Sequence, residues 1–192
     1  MDTKTTIVKA ATNCLATKGY SGASMRDIAK DSHVQTSVIY YYFSDKNSLF
    51  EAVYEHILAA LQADIAPIRA IDDSSKRLRA ILAYQLKKRK MLAALLNYFV
   101  GQTDKFSKYS DGGYVPAGAY YHILETLQLG SKSGVYQSHT SLFDAKIIAH
   151  IMNGFVLEYA SRPLPKAESD RLVQAIADFI EAATTNPVEN AA

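Results

Sequence analysis

Tryptophan is missing from this 192-residue chain, cysteine occurs once and proline five times. The single cysteine, Cys14, excludes an internal disulfide and fits a reducing cytoplasm. Cys14 also falls on an apolar helical stripe and reads as a small core residue. No stretch approaches the roughly 18 uncharged apolar residues of a membrane span, so no membrane partner is expected. The N-terminal MDTKTTIVKAA lacks the apolar centre of a secretory signal. Catalytic signatures are missing too. There is no nucleophile–base pair, and Gly112-Gly113 has no strand–loop–helix setting of a phosphate loop. His122, His139 and His150 follow no tight metal-ligand spacing and have no second cysteine to help them. The chain therefore reads as a non-enzyme that needs no metal and no cofactor.

What is present is the composition of a globular protein, 48% hydrophobic and 21% charged. The net charge of +2 is unevenly placed. Residues 1–50 carry six Lys/Arg and four Asp, while residues 51–192 carry fifteen charges of each sign. The positive excess at the N-terminal end hints at a polyanionic partner there.

Almost the whole chain has helical periodicity. Ile7, Ala11, Cys14 and Leu15 mark a first helix that Lys18 and Gly19 close. Ser24-Met25-Arg26-Asp27 reads as a capping box opening a short helix to about Ser32. After a break at His33, a third helix runs from Gln35 or Thr36 to Tyr42. Ser44-Asp45 then caps a longer fourth helix, with Leu49, Phe50, Val53, Ile57 and Leu61 at helical spacing, which Pro67 should end or kink. Further helices carry Leu78, Ile81, Leu82 and Leu86, then Met91–Val100, then about Ala117–Leu129. Residues 103–116 and the GSKSG stretch read as loops. Lys87-Lys88-Arg89-Lys90 reads as a solvated helix end. Phe143, Ile147, Ile151, Phe155 and Tyr159 make a long i, i+4 stripe, with Ile148, Met152 and Val156 beside it. A last helix carries Leu172, Ile176, Phe179 and Ile180. No strand pattern appears, and the fold class is all-α.

Two short helices joined by a tight turn and preceded by a packing helix form a helix-turn-helix, whose second helix enters the major groove of double-stranded DNA. This explains the row Tyr40-Tyr41-Tyr42-Phe43. At about 100° per residue the four rings cannot share one face. Ile39 and Phe43 face the core, Val38 and Tyr42 flank it, and Tyr40 and Tyr41 point outward. A tyrosine hydroxyl suits a phosphate oxygen while its ring packs on sugar.

The stretch from Ile7 to Phe50, through "KGYSGASMRDIAKDSHV" and "TSVIYYYFSDKNSLF", resembles the DNA-binding domain of the TetR family of transcriptional regulators. The resemblance covers about a quarter of the chain, and the rest agrees in helical layout. It implies a helix-turn-helix domain over residues 1–46 and a helical ligand-binding and dimerisation domain over 47–192. By resemblance Tyr40 and Lys46 hold phosphates, with Ser24 and Tyr42 as secondary contacts. Ser24 has the competing duty of N-cap. Gln35, Thr36, Ser37 and Tyr41 are the base readers, since Gln pairs bidentately with adenine and a Thr methyl touches thymine. Arg26 either reaches guanine or pairs with a nearby Asp. His33 stands where the family has glycine. Gln35 stands where the family has a serine or threonine cap, so either Thr36 takes over the cap or Gln35 turns to a base.

The second domain implies a small-molecule effector. Its tyrosines suit an apolar or aromatic guest with one or two polar groups. The pocket candidates are Tyr84, Asn97, Tyr98, Gln102, Tyr120, Tyr121, His122, Glu125, His150 and Asn153. Phe143, Ile147, Ile151, Phe155, Leu172, Ile176 and Phe179 form the expected homodimer interface. Gly154, inside an apolar helix, suggests a close helix crossing. A purely architectural DNA binder would not need so large a neutral domain. The expectation is a repressor that binds a palindromic operator as a dimer and is released by its effector.

Overall fold

The structure is a computed structural model that describes residues 2–100, 117–136 and 142–184. The expected loop over 103–116, together with Gln102 and His139, lies outside the described residues. Among the described residues there are nine helices and no strand: α1 (Thr3–Gly22), α2 (Met25–Asp31), α3 (Thr36–Tyr42), α4 (Lys46–Arg69), α5 (Ser74–Lys87), α6 (Arg89–Val100), α7 (Ala117–Lys132), α8 (Leu142–Ala160) and α9 (Lys166–Thr184). The chain divides into two compact units. One comprises Met1–Asp64 with Ala94–Gln102, and the other Ile65–Ala93 with Thr103–Ala192. The division thus falls inside α4, later than position 46, and the second half of α6 counts with the first unit.

In the first unit α1 starts where Asp2 accepts the Thr5 backbone N–H at 2.7 Å. It buries Ile7, Val8, Ala10, Ala11, Cys14 and Leu15. Gly19 breaks it with φ 68°, ψ 174°, a conformation open essentially to glycine alone, and one more turn follows to Gly22. Ser24 and Asp27 form the expected capping box on α2. The turn after α2 is a Schellman motif. Val34 N–H reaches Ala29 O at 3.0 Å, and His33 N–H reaches Lys30 O at 3.2 Å. His33 occupies the left-handed position with φ 55°. Gln35 is the N-cap of α3 but makes no side-chain capping bond, and Thr36 is already helical. Thr36 therefore does not take over the cap. Asp45 caps α4 by accepting Ser48 N–H at 2.8 Å, and α4 passes Pro67 and stops two residues later.

In the second unit one core joins α5, α7, α8 and α9. Leu78, Ile81, Leu82 and Leu86 meet Ile123, Leu127, Ile148, Met152, Val173, Ile176 and Ile180. Each such side chain contributes about 1.5–3 kcal/mol by leaving water. Helix α7 outruns the expected loop, ending at Lys132 instead of Leu129. The chain then doubles back so that Tyr136 lies where a side chain at Gly130 would start. A Cβ there would sit 2.0 Å from the Tyr136 ring.

Arginines stitch these helices together. Arg79 on α5 reaches Glu181 on α9 with two bonds of 2.6 and 3.0 Å. The basic run at 87–90 is not wholly a solvated end. Lys88 breaks the chain between α5 and α6, and Arg89 donates to the Tyr159 carbonyl at 2.9 Å and the Leu86 carbonyl at 3.1 Å.

Candidate nucleic-acid interface and ligand region

Helix α3 buries one side and bares the other. Ile39 is 0% exposed and Phe43 5%, while Tyr40 is 53% and Tyr41 82% exposed. Gln35 and Ser37 are exposed beside them, and Thr36 and Val38 are half-buried. Tyr42 is 38% exposed and meets Tyr41 edge to face, centroids 5.1 Å apart. This bare face presents an amide, hydroxyls and phenols, groups able both to donate and to accept. No carboxylate lies on α3 itself.

Ser24 carries out its capping duty. Its Oγ accepts Asp27 N–H at 3.1 Å and donates to Asp27 Oδ2 at 2.8 Å. A phosphate would have to compete for that hydroxyl. Asp27 also pairs with Lys18 at 3.2 Å, and hydrogen bonds from Ser24 and Lys18 hold its carboxyl below the usual range. The alternative of an ion pair for Arg26 is not taken up among the described residues, and Arg26 is exposed. Lys46 opens α4, where the helix dipole already favours an anion. It is half-buried, with Nζ 4.3 Å from the Tyr20 ring centroid and 5.9 Å from that of Phe50. Burial draws its pKa down. Cys14 is core, 1% exposed. Its thiol donates to Asp31 at 3.3 Å, and burial pushes its pKa up to about 11.

The described pocket candidates are divided between the two units. Tyr98 is buried in the first unit against Tyr20 and Phe50, and Asn97 beside it is exposed. In the second unit Tyr120 belongs to the core. Tyr121 is exposed, with its ring 4.8 Å from that of Tyr120. Tyr84 and Asn153 are half-buried. His150 is exposed, and its Nδ1 lies 2.6 Å from the carbonyl of Lys146 on its own helix. Glu125 is engaged bidentately by Arg69 at 2.8 and 2.9 Å. An open cleft of about 490 Å³ is lined by Arg69, Ala70, Arg77, Glu125, Gln128, Leu129 and Lys132. It shares only Glu125 with the expected set, and four of its seven lining residues are charged. Arg69 and Lys132 stand in the last turns of α4 and α7. Cations are ordinary in that position, so spacing alone gave no sign that they would meet.

Four buried polar atoms of the second unit have no partner among the described residues: Ser74 Oγ, Gln85 Oε1, His122 Nδ1 and Tyr136 Oη. His122 Nδ1 is 3.9 Å from Glu125 Oε2, beyond hydrogen-bond reach. Gln85 had no sequence signal beyond being a polar residue beside an apolar stripe.

The expected interface residues separate by face. Phe143 is 70%, Ile147 44% and Phe179 64% exposed, joined by Leu157, which stands outside the expected set. Ile151, Phe155 and Leu172 are half-buried. Ile176 is 5% exposed and packs with Val173, Ala177 and Ile180 inside the unit, so it leaves the outward set. No Cβ neighbour lies within 4 Å of Gly154, and its expected helix crossing does not occur within the described chain.

Residues 7–53 match the family model for bacterial regulatory proteins of the tetR family. The HTH-type transcriptional regulator BetI of Burkholderia thailandensis is 33% identical over 79 residues, 40% of this chain and 40% of its own length. The HTH-type transcriptional repressor NicS of Pseudomonas putida is 32% identical over 83 residues, 43% of this chain and 39% of its own. The chain thus spans about two fifths of the curated relatives it matches. A putative transcriptional regulator from Saccharomonospora viridis, solved in complex with choline, shares the fold with TM-score 0.77 at 20% identity. That match covers 96% of this chain and 98% of the other.

The half-buried His122 yields a pH prediction. Burial lowers its pKa from 6.5, against a smaller opposing pull from Glu125. Below 6.5 the unfolded chain then binds the proton more readily than the folded one, so stability falls as pH drops through and below that value. Thermal melts between pH 7.5 and 5.5 should show a smaller acid loss for His122→Gln than for the parent. An equal loss in both would remove His122 as a source of acid sensitivity.

Proposed function

The chain belongs to the tetR family of bacterial regulatory proteins, and on that premise we propose that it is a ligand-responsive repressor that binds a palindromic operator as a homodimer. The observation that carries this reading is the bare face of α3, with Gln35, Ser37, Tyr40 and Tyr41 outward and Lys46 at the head of the next helix. Tyr40 and Lys46 hold phosphates, with Ser24 and Tyr42 as secondary contacts. Gln35, Thr36, Ser37, Tyr41 and Arg26 face base edges. The protein acts by occupancy of DNA in the cytoplasm and catalyses nothing. Lys46→Ala should weaken binding to every DNA sequence and flatten the salt slope by about one unit per head, hence about two per dimer. Gln35→Ala should relax preference at one position of each half-site, read by selection from random DNA. A Lys46→Ala protein with altered preference and an unchanged salt slope would reverse the assignment.

The outward apolar residues of α8 and α9 support the dimer. Phe143, Ile147, Leu157 and Phe179 are exposed, and two-fold readers need two heads. Gly154 discriminates sharply. In open space Ala should stabilise α8 by about 1 kcal/mol, whereas at a close crossing with a second copy it should loosen the dimer. Analytical ultracentrifugation of Gly154→Ala should show weaker self-association. A monomeric parent protein at micromolar concentration would refute the dimer.

The effector acts from the second unit. Gln85 Oε1 and His122 Nδ1, buried without a partner among the described residues, are polar atoms for such a guest, consistent with a largely apolar or aromatic molecule bearing one or two polar groups. It can release DNA only by preferring the state that binds DNA poorly. A coupling of about 1–3 kcal/mol shifts DNA affinity about 5–150-fold, and operator must weaken effector binding by the same factor. Calorimetric titration of an effector with and without operator should give that ratio. Identical affinities in the two titrations would dismiss it as an effector.

A further inference from the structure

Lys46 does not stand alone at the start of α4. Within the first unit its ammonium sits over the Tyr20 ring, 4.3 Å from the centroid. Tyr20 packs edge-on against Phe50 at 4.9 Å and, tilted, against Tyr98 of α6 at 4.8 Å. The Tyr20 hydroxyl donates to Asn47, the residue after Lys46. Tyr98, 3% exposed, closes the cluster behind Tyr20 and Phe50. Three helices, α1, α4 and α6, thus meet behind one charged side chain. Gly19, with its positive φ, turns the chain just before Tyr20. An all-apolar core would not place an ammonium against its rings, and Tyr20 is half-buried.

We propose that Tyr98 is a positioning residue for DNA binding: it braces the Tyr20 ring, and that ring holds the Lys46 ammonium in place for a phosphate. A free lysine has a flexible four-carbon stem and loses rotamer freedom when it docks. Seated on an aromatic face it has lost part of that freedom before DNA arrives, so less is lost on binding. The ring's quadrupole is a weaker partner than a phosphate, so the ammonium stays available to the stronger one. Tyr98 thereby ties α6, about fifty residues away in sequence, to the strength of the phosphate contact. The inference rests on the reading of Lys46 as a phosphate ligand.

The test separates the two. In full-length protein labelled with 13C, the Lys46 side-chain methylene protons, assigned by their absence in Lys46→Ala, should be shifted upfield by the Tyr20 ring with no DNA present. Tyr98→Phe, which keeps the ring, should leave that shift in place. Tyr98→Leu, which fills much of the space without a ring, should move it toward the ordinary lysine position. It should also weaken binding about 3- to 10-fold on all DNA sequences. The effect of Tyr98→Leu should vanish in a Lys46→Ala background. If Tyr98→Leu does not fold, the parent spectrum still decides, because Lys46 resonances at the ordinary position overturn the proposal. An unchanged Lys46 shift in a folded Tyr98→Leu protein overturns it equally. A shift that moves as expected while Lys46→Ala binds DNA normally would sink the phosphate role of Lys46 and with it the proposal.

Discussion

Between Asp31 and Thr36 the chain must reverse with only residues 32–35 to do it. The outward face of the N-terminal unit depends on that reversal. His33 takes a left-handed backbone so that two amides can return to the last carbonyls of α2. This satisfies the helix end and sets the angle at which α3 leaves. Once the angle is set, Ile39 and Phe43 meet the core. The 100° step of the helix then leaves Gln35, Ser37, Tyr40 and Tyr41 in solvent. A left-handed position costs histidine more than glycine, because the Cβ crowds the following carbonyl. The motif tolerates this because its hydrogen bonds and the buried isoleucine and phenylalanine act together.

Charged side chains take more specific posts here than their runs suggest. Arg89, inside a basic tetrad, caps carbonyls of two helices. Arg79 clamps α5 to α9, while Arg69 engages Glu125. Exposed pairs such as the last contribute little to stability, about 0–1 kcal/mol. Their consequence is organisational: Glu125 is engaged by Arg69 and lines a cleft with Arg77 and Lys132. Lys46 shows the reverse case. It has aromatic faces for company, and burial leaves its ammonium less well solvated.

The helices, their caps and the outward tyrosines were legible because each rests on neighbours within a turn or two. The capping box at Ser24, the break at Gly19 and the division of rings around Ile39 need no distant partner. The separate settings of the tyrosines were not legible. Tyr98, Tyr120 and Tyr121 are alike in composition, yet one braces a ring in the first unit, one fills the second unit's core and one is exposed. Nothing local distinguishes them, since a tyrosine suits all three settings.

Helix α8 draws the line between the two kinds of information most clearly. Its sequence is apolar on nearly every side, so both Phe143-Ile147-Ile151-Phe155 and Ile148-Met152-Val156 qualify as a core stripe. Periodicity identified a helix with two candidate faces. Packing against α5, α7 and α9 chose the face with Ala145, Ile148, Met152 and Val156 and turned Phe143 and Ile147 outward. The same choice on α9 drew Ile176 inward and left Phe179 bare. The amino-acid order determined where helices start, stop and repeat, because those depend on hydrogen bonds and sterics a few residues apart. Which of two equally apolar faces meets the core depends on the shape and volume of elements far away in the chain, and that only the tertiary structure decided.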